Sequence, residues 1–268
     1  MNDPTPHVLD DVDATTYYKE VVDVLQLANV PFLVGGTYSL ERHAGIQRRT
    51  KDLDLFIRRA SLGAAGRALE SRGFEVDLAH PHWLAKAKRE GFQVDLIFAG
   101  GNGLVRVDDE WFANGVRDTI FEVPVLLCPA EEMIWSKSFV MERERFDGAD
   151  VLHILRESAE RLDWRRLVKR YGPNVAVLLV HLILFRFVYP SEAHRIPRWV
   201  MDVARNGAEA AGVPAGRLCR GTLLSRSQYL ADINEWDYQD ARVPPHGVMT
   251  PEQIDLWTAE IGDLTESE

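Results

Sequence analysis

Val34-Gly35-Gly36-Thr37, followed by Thr50-Lys51-Asp52-Leu53-Asp54-Leu55, is the pair of phrases that decides how this chain folds. Pro31-Phe32-Leu33-Val34 reads as a short buried strand, and Gly35-Gly36 breaks it. Thr37-Tyr38-Ser39-Leu40-Glu41-Arg42 then reads as a helix start, with a hydroxyl residue near its cap. A strand, a glycine turn and a helix start together offer backbone N–H groups and a positive dipole end to a phosphate. Asp52-Leu53-Asp54-Leu55-Phe56-Ile57 reads as a second strand. Its two aspartates stand at i and i+2, so their side chains share one face roughly 7 Å apart. Two carboxylates at that distance repel by about 2 kcal/mol at an effective dielectric near 20. A cation between them removes the penalty, and magnesium suits the set because it takes a few carboxylates and keeps room for phosphate oxygens. Alternating polar and apolar residues also occur on the solvated side of ordinary sheets, so the pair alone does not settle the matter. The glycine turn before it does most to narrow the choice.

These residues resemble the polymerase-beta-like nucleotidyltransferase superfamily. Its signature is a hydrophobic strand, Gly-Gly or Gly-Ser, a short helix and an Asp-hydrophobic-Asp strand. The gap from Gly36 to Asp52 is slightly longer than the family's usual spacing, which implies an enlarged loop around Ala44-Gly45-Ile46-Gln47. The resemblance covers roughly the first half of the chain. It implies a third carboxylate on a later strand, and two phrases compete for that role. Gly73-Phe74-Glu75-Val76-Asp77-Leu78 and Gly91-Phe92-Gln93-Val94-Asp95-Leu96 could each supply it. The second runs on into Ile97-Phe98-Ala99 and follows Trp83 to Lys88 across a tight turn at Arg89-Glu90-Gly91, a hairpin pattern. That places Asp95 in mid-sheet and Asp77 on an outer strand, so Asp95 is preferred.

The resemblance further implies nucleotidyl transfer from a nucleoside triphosphate such as ATP. Asp52, Asp54 and Asp95 would be both the catalytic residues and the ligands of two Mg2+ ions. Gly35, Gly36 and Thr37 would hold the triphosphate. Arg42, Arg48, Arg49 and Lys51 form a run with no acid among residues 42 to 51. Such a run is commonly a solvated face, but beside the phosphate turn it also suits a clamp, for which Arg49 and Lys51 are the candidates. A weaker phrase opens at Pro129-Ala130-Glu131-Glu132-Met133, with proline and acids in a first helical turn. By the same resemblance its Lys137 reaches the nucleotide phosphates; the plainer reading is a surface lysine among Glu131, Glu132 and Glu142. Asp147 and Asp150 read as capping and inter-helix contacts.

The 268 residues allow two modest domains, each with its own core. Strand and helix signals alternate to about Leu127, with a helix from Ser61 to Ser71 and a last strand from Phe121 to Leu127; mostly helical patterns follow. The expected architecture is therefore α/β (α+β): a small mixed sheet with flanking helices over residues 1–128, then a helical domain over 129–268. Val175 to Val188 is apolar but contains His181 and Arg186, and is expected to be a buried core helix, not a membrane span. His181 is expected to be a hydrogen-bonded core residue. Cys128 and Cys219 are far apart and lack metal-ligand spacing, which fits reduced thiols in a cytoplasmic protein. The N-terminus shows no basic lead followed by an apolar run. A net charge of −10 argues against broad nucleic-acid binding, which depends on Lys and Arg at phosphates. No Gly-x-Ser-x-Gly or P-loop phrase is present. The acceptor stays open among a small molecule, an RNA end and a protein hydroxyl. A second class also stays open: a non-catalytic nucleotide-sensing or toxin–antitoxin interaction module with the same fold.

Overall fold

The computed structural model describes residues 9–48, 52–210 and 216–265. Its chain divides into two compact units: residues 1–38, 48–98 and 107–128 form the first, and residues 39–47, 99–106 and 129–268 the second. One division falls between Cys128 and Pro129, and segments 39–47 and 99–106 group with the helical unit. Hydrogen bonds within that unit account for both. Ser158 Oγ donates to the His43 carbonyl at 2.8 Å, and Asn102 Nδ2 donates to the Leu223 carbonyl at 2.9 Å.

The first unit is built on a seven-stranded mixed sheet. In chain order its strands are β1 (Phe32–Val34), β2 (Leu53–Ile57), β3 (Glu75–His80), β4 (Leu84–Arg89), β5 (Phe92–Ile97), β6 (Val116–Ile120) and β7 (Val123–Leu127). They lie in the order β3-β4-β5-β2-β1-β7-β6. β2 runs parallel to β5 and β1 parallel to β7, while the other neighbours are antiparallel. Alternation along the strands decides which face is which. Leu53, Leu55, Ile57, Val94 and Leu96 are fully buried in one core with Val21, Val22 and Leu25 of helix α1 (Leu9–Leu27) and Leu69 of helix α3 (Leu62–Glu70). Each such aliphatic side chain contributes about 1.5–3 kcal/mol by leaving water. This fixes the register, because a one-residue slip would turn Asp54 and Asp95 into the core.

Two hairpin turns set the pairing. Glu90 and Gly91 have φ of 55° and 85°, and Arg89 pairs with Phe92 across them. Phe121 and Glu122 have φ of 52° and 64°, and Ile120 pairs with Val123. The last strand thus begins at Val123, not Phe121, and gains β6 as an unanticipated partner. Helix α4 (Asp109–Ala113) was likewise not anticipated; Asp108 caps it by accepting from Glu110 N at 3.0 Å.

Helix α2 (Gly36–Ala44) begins in the first unit and continues in the second. The second unit then contains α5 (Ala130–Lys137), α6 (Gly148–Ser158), α7 (Trp164–Tyr171), α8 (Val175–Val188), α9 (Arg198–Ala210), α10 (Leu230–Asn234) and α11 (Pro251–Thr265). A short parallel pair, β8 (Leu218–Cys219) and β9 (Gln239–Asp240), lies among them. Two buried polar groups tie α5 into the bundle. Arg166 of α7 is ion-paired with Glu131 and Glu132, and Arg170 Nε lies 3.2 Å from Glu132. Burial nonetheless holds the Glu132 carboxyl above its ordinary range, against the pull of Arg166 and Arg170. His181 donates through Nε2 to the Ser138 carbonyl at 3.0 Å, and burial lowers its pKa.

Trp164–Val188 is long and apolar enough to cross a membrane by composition, with one-third of that window buried. The stretch is nevertheless broken at Gly172, where φ is 49°. The expectation of a fully buried α8 needs correcting. Val175, Leu178, His181, Leu182 and Phe185 form a buried stripe, whereas Val180, Ile183 and Phe187 are exposed on the opposite side.

Candidate active site

The second face of the sheet carries the candidate residues. Asp54 pairs in register with Asp95, Asp95 with Lys86, and Lys86 with Asp77. Residues opposite one another on neighbouring strands share a face with Cβ atoms about 4.5–5.5 Å apart. A row Asp54–Asp95–Lys86–Asp77 therefore crosses four strands. Asp95 is central and half-buried, while Asp77 is exposed on the outer strand. Asp52 is exposed just before β2, two residues from Asp54.

Burial pushes the Asp95 carboxyl up from the usual range, opposed by the Lys86 charge and a hydrogen bond from Gln93, while the Asp52 charge adds to the rise. Gln93 Nε2 donates to Asp95 Oδ1 at 2.7 Å. Tyr18 joins the same field from α1. Burial drives its phenol up to about 12, and the Asp52 and Asp54 charges contribute, so its hydroxyl stays protonated beside them. Lys86 and Tyr18 are the residues that the sequence reading missed. The signal for Lys86 was present: a two-residue turn at Glu90-Gly91 makes Lys86 face Asp95. Tyr18 leaves no such signal, because its place depends on how α1 crosses the sheet.

The two glycines do different things. Gly36 has φ of 52° and opens α2, and a Cβ there would overlap the Asp54 carboxylate. Close approach of the turn to Asp54 thus requires glycine. A Cβ at Gly35 would instead collide with the Phe56 ring. Gly35 N donates to the Asp54 carbonyl at 2.9 Å, so its N–H is committed to the sheet. This corrects the expectation that Gly35 holds phosphate through that group. Gly36 and Thr37, as the first residues of α2, have N–H groups without intrahelical acceptors. Phe56 stacks on the buried Trp111 with centroids 5.1 Å apart, and Arg58 lies 3.7 Å over Phe112, forming an aromatic wall beyond Asp54.

The remaining candidates do not join this constellation on the same footing. Arg49 and Lys51 lie outside the described residues. Lys137, in the second unit, is held by Asp147 at 3.0 Å and Asp150 at 2.9 Å. Arg145 makes a forked pair with the same Asp147, with contacts of 2.8 Å and 2.8 Å. Asp147 makes no capping hydrogen bond at the start of α6, so of its two expected roles only the inter-helix one is seen.

The donor set Asp52, Asp54 and Asp95 is all oxygen and suits a hard divalent cation in chemistry, and Asp54 and Asp95 share one face of the sheet. Among the described residues, however, no three His, Cys, Asp or Glu side chains converge at metal-holding spacing.

Several solved structures are similar in fold. The solution structure of the antibiotic-resistance factor ANT(2'')-Ia matches at 18% identity and a TM-score of 0.41, covering 69% of this chain and 97% of that one. The lincosamide antibiotic adenylyltransferase LnuA, lincomycin-bound, matches at 13% identity and a TM-score of 0.38, covering 52% and 94%. An antigenic nucleotidyltransferase-like protein from Paracoccidioides brasiliensis matches at 18% identity and a TM-score of 0.43, covering 70% and 91%. No curated protein matches the chain at a significant level. The family described as nucleotidyl transferase of unknown function (DUF2204) matches residues 14–174, more than half of the sequence and all seven strands of the mixed sheet, and the chain belongs to that nucleotidyltransferase family.

Proposed function

We propose that the protein transfers a nucleoside monophosphate from a nucleoside triphosphate to an acceptor hydroxyl, releasing pyrophosphate. The observation that carries this reading is the placement of Asp54 between Asp95 and the Gly36 turn. Carboxylates for a cation and N–H groups for a phosphate thereby meet at the middle of the sheet, where β1 ends and β2 begins. Asp52, Asp54 and Asp95 would hold Mg2+, two ions being expected, which supply charge neutralisation for the attacking and leaving oxygens of an in-line displacement. The N–H groups of Gly36 and Thr37 orient the triphosphate, with the Thr37 hydroxyl available as a further donor. Asp95, half-buried and backed by Lys86, lowers the cost of removing the acceptor proton. Tyr18 keeps its proton in the field of Asp52 and Asp54 and adds no charge to the site.

The second reading, a nucleotide-sensing or interaction module, is favoured by the lack of three converged ligands among the described residues. One experiment separates the two. The protein is incubated with each labelled triphosphate, magnesium and a cell extract, beside an Asp54→Asn variant. Transfer of label to an acceptor by the native chain alone supports the enzyme. Saturable triphosphate binding with no labelled acceptor supports the module.

A further inference from the structure

Helix α8 is apolar on two opposite sides. Its buried stripe packs into the bundle, and Val180, Ile183 and Phe187, at i, i+3 and i+7, form a second stripe exposed by 45%, 54% and 81%. Trp199 and Val203 of α9, exposed by 41% and 42%, present a further i,i+4 pair. α8 and α9 pack against each other, and a hollow of about 680 Å³ opens at their surface. It is lined by the apolar Ile183, Ile196 and Met201 and by Arg186, Arg198 and Arg205, with Asp202 as its one carboxylate, 4.0 Å from Arg198 and 3.9 Å from Arg205. Arg165 lies 5.5 Å over the Trp199 ring, adding another guanidinium. In a chain of net charge −10 this is a local reversal of sign around exposed apolar side chains.

We propose that the α8–α9 face docks an acidic amphipathic helix of a partner protein. The apolar anchors repeat over about two helical turns, which matches a helix presenting its own i, i+3/i+4 and i+7 residues. Carboxylates flanking those anchors meet Arg186, Arg198 and Arg205. A second copy of the chain meeting this face symmetrically would oppose arginine to arginine, which charge disfavours. A bilayer surface would leave the hollow unfilled, whereas a side chain from a helix enters it. The apolar patch extends well beyond the hollow, so a small anion would leave most of it in water.

The test uses the full chain and a dye-labelled synthetic helical peptide with leucines at i, i+3, i+4 and i+7 on an alanine–glutamate background. Its lysine-for-glutamate twin is the control. Fluorescence anisotropy is expected to show saturable binding of the acidic peptide and binding of the twin at least about tenfold weaker, a difference of about 1.4 kcal/mol. The Arg198→Glu/Arg205→Glu variant should weaken the acidic peptide by a similar factor and improve the twin. Ile183→Asp/Phe187→Asp should abolish binding of both, with an unchanged circular-dichroism melt because these side chains are exposed. Equal binding of the two peptides, or none of the acidic one, overturns the proposal. So does dimerisation of the unmodified chain in sedimentation that Phe187→Asp abolishes. Binding to vesicles of phosphatidylcholine and phosphatidylserine without peptide binding overturns it in favour of a lipid surface.

Discussion

Lys86 stands between Asp77 and Asp95 in the row that crosses the sheet, opposite both aspartates. Its charge opposes the burial that raises the Asp95 carboxyl. Removing that charge in Lys86→Met lets the Asp95 pKa climb further, so the acid limb of the transfer rate against pH should move to higher pH. A limb that stays put or moves down would separate Lys86 from Asp95. Asp54→Asn and Asp95→Asn should each reduce transfer by about a hundredfold or more, with the fold retained by circular dichroism. Asp77→Asn, on an exposed outer strand, should change the rate little. Gly36 carries a stricter demand than its family pattern implies. Gly-Ser is accepted elsewhere in the superfamily, so serine at position 36 looks harmless from sequence. Here its Cβ would meet the Asp54 carboxylate in a backbone at φ 52°. Gly36→Ser should therefore weaken triphosphate binding in calorimetry almost as much as Gly36→Val. The aspartates were legible because strand alternation and a hydrophobic run announce them. The contact between Gly36 and Asp54 was not, because it joins residues from two strands through a turn.

The elements divide in a similar way. The hairpin of β4 and β5 was legible from its glycine turn, whereas that of β6 and β7 turns on Phe121-Glu122, two residues that seldom adopt positive φ. Without Gly or Asn at that corner, Val116–Ile120 gave no hairpin signal. The α5–α6 connection shows how charge holds two helices that periodicity alone leaves separate. Burial raises the Asp147 carboxyl, but the Arg145 hydrogen bond and the Lys137 charge outweigh it and leave the group below its ordinary value of 3.8. A carboxyl depressed in the fold contributes stability above its unfolded pKa and loses it as pH falls through the folded one. Asp147→Asn should accordingly cost about 1.5 kcal/mol at neutral pH, since it removes charged hydrogen bonds to Arg145, which is exposed, and to Lys137, which keeps Asp150. The difference between variant and native chain should vanish in denaturant titrations below the depressed pKa. A constant difference across that range would mean that packing, not charge, accounts for the loss.

At the scale of the whole molecule, the chain passes between its two units five times. The shift to helical patterning at Pro129 places the expected boundary at residue 128, and nothing local in the sequence marks segments 39–47 and 99–106 as part of the second unit. Their membership depends on distant partners such as Ser158 and Leu223, which local periodicity cannot report. The fragment 1–128 should therefore lack a cooperative thermal transition by circular dichroism, while the full chain shows one. A cooperatively melting fragment would make segments 39–47 and 99–106 dispensable to the sheet unit.

The interleaving also limits how such a protein can diversify. A recombination event at the codon boundary after residue 128 would inherit the sheet but import helices selected beside other versions of segments 39–47 and 99–106. Most such chimeras would be lost at once. New variants would have to arise by point substitution within one lineage, or by exchanges that carry three separate stretches of the gene together.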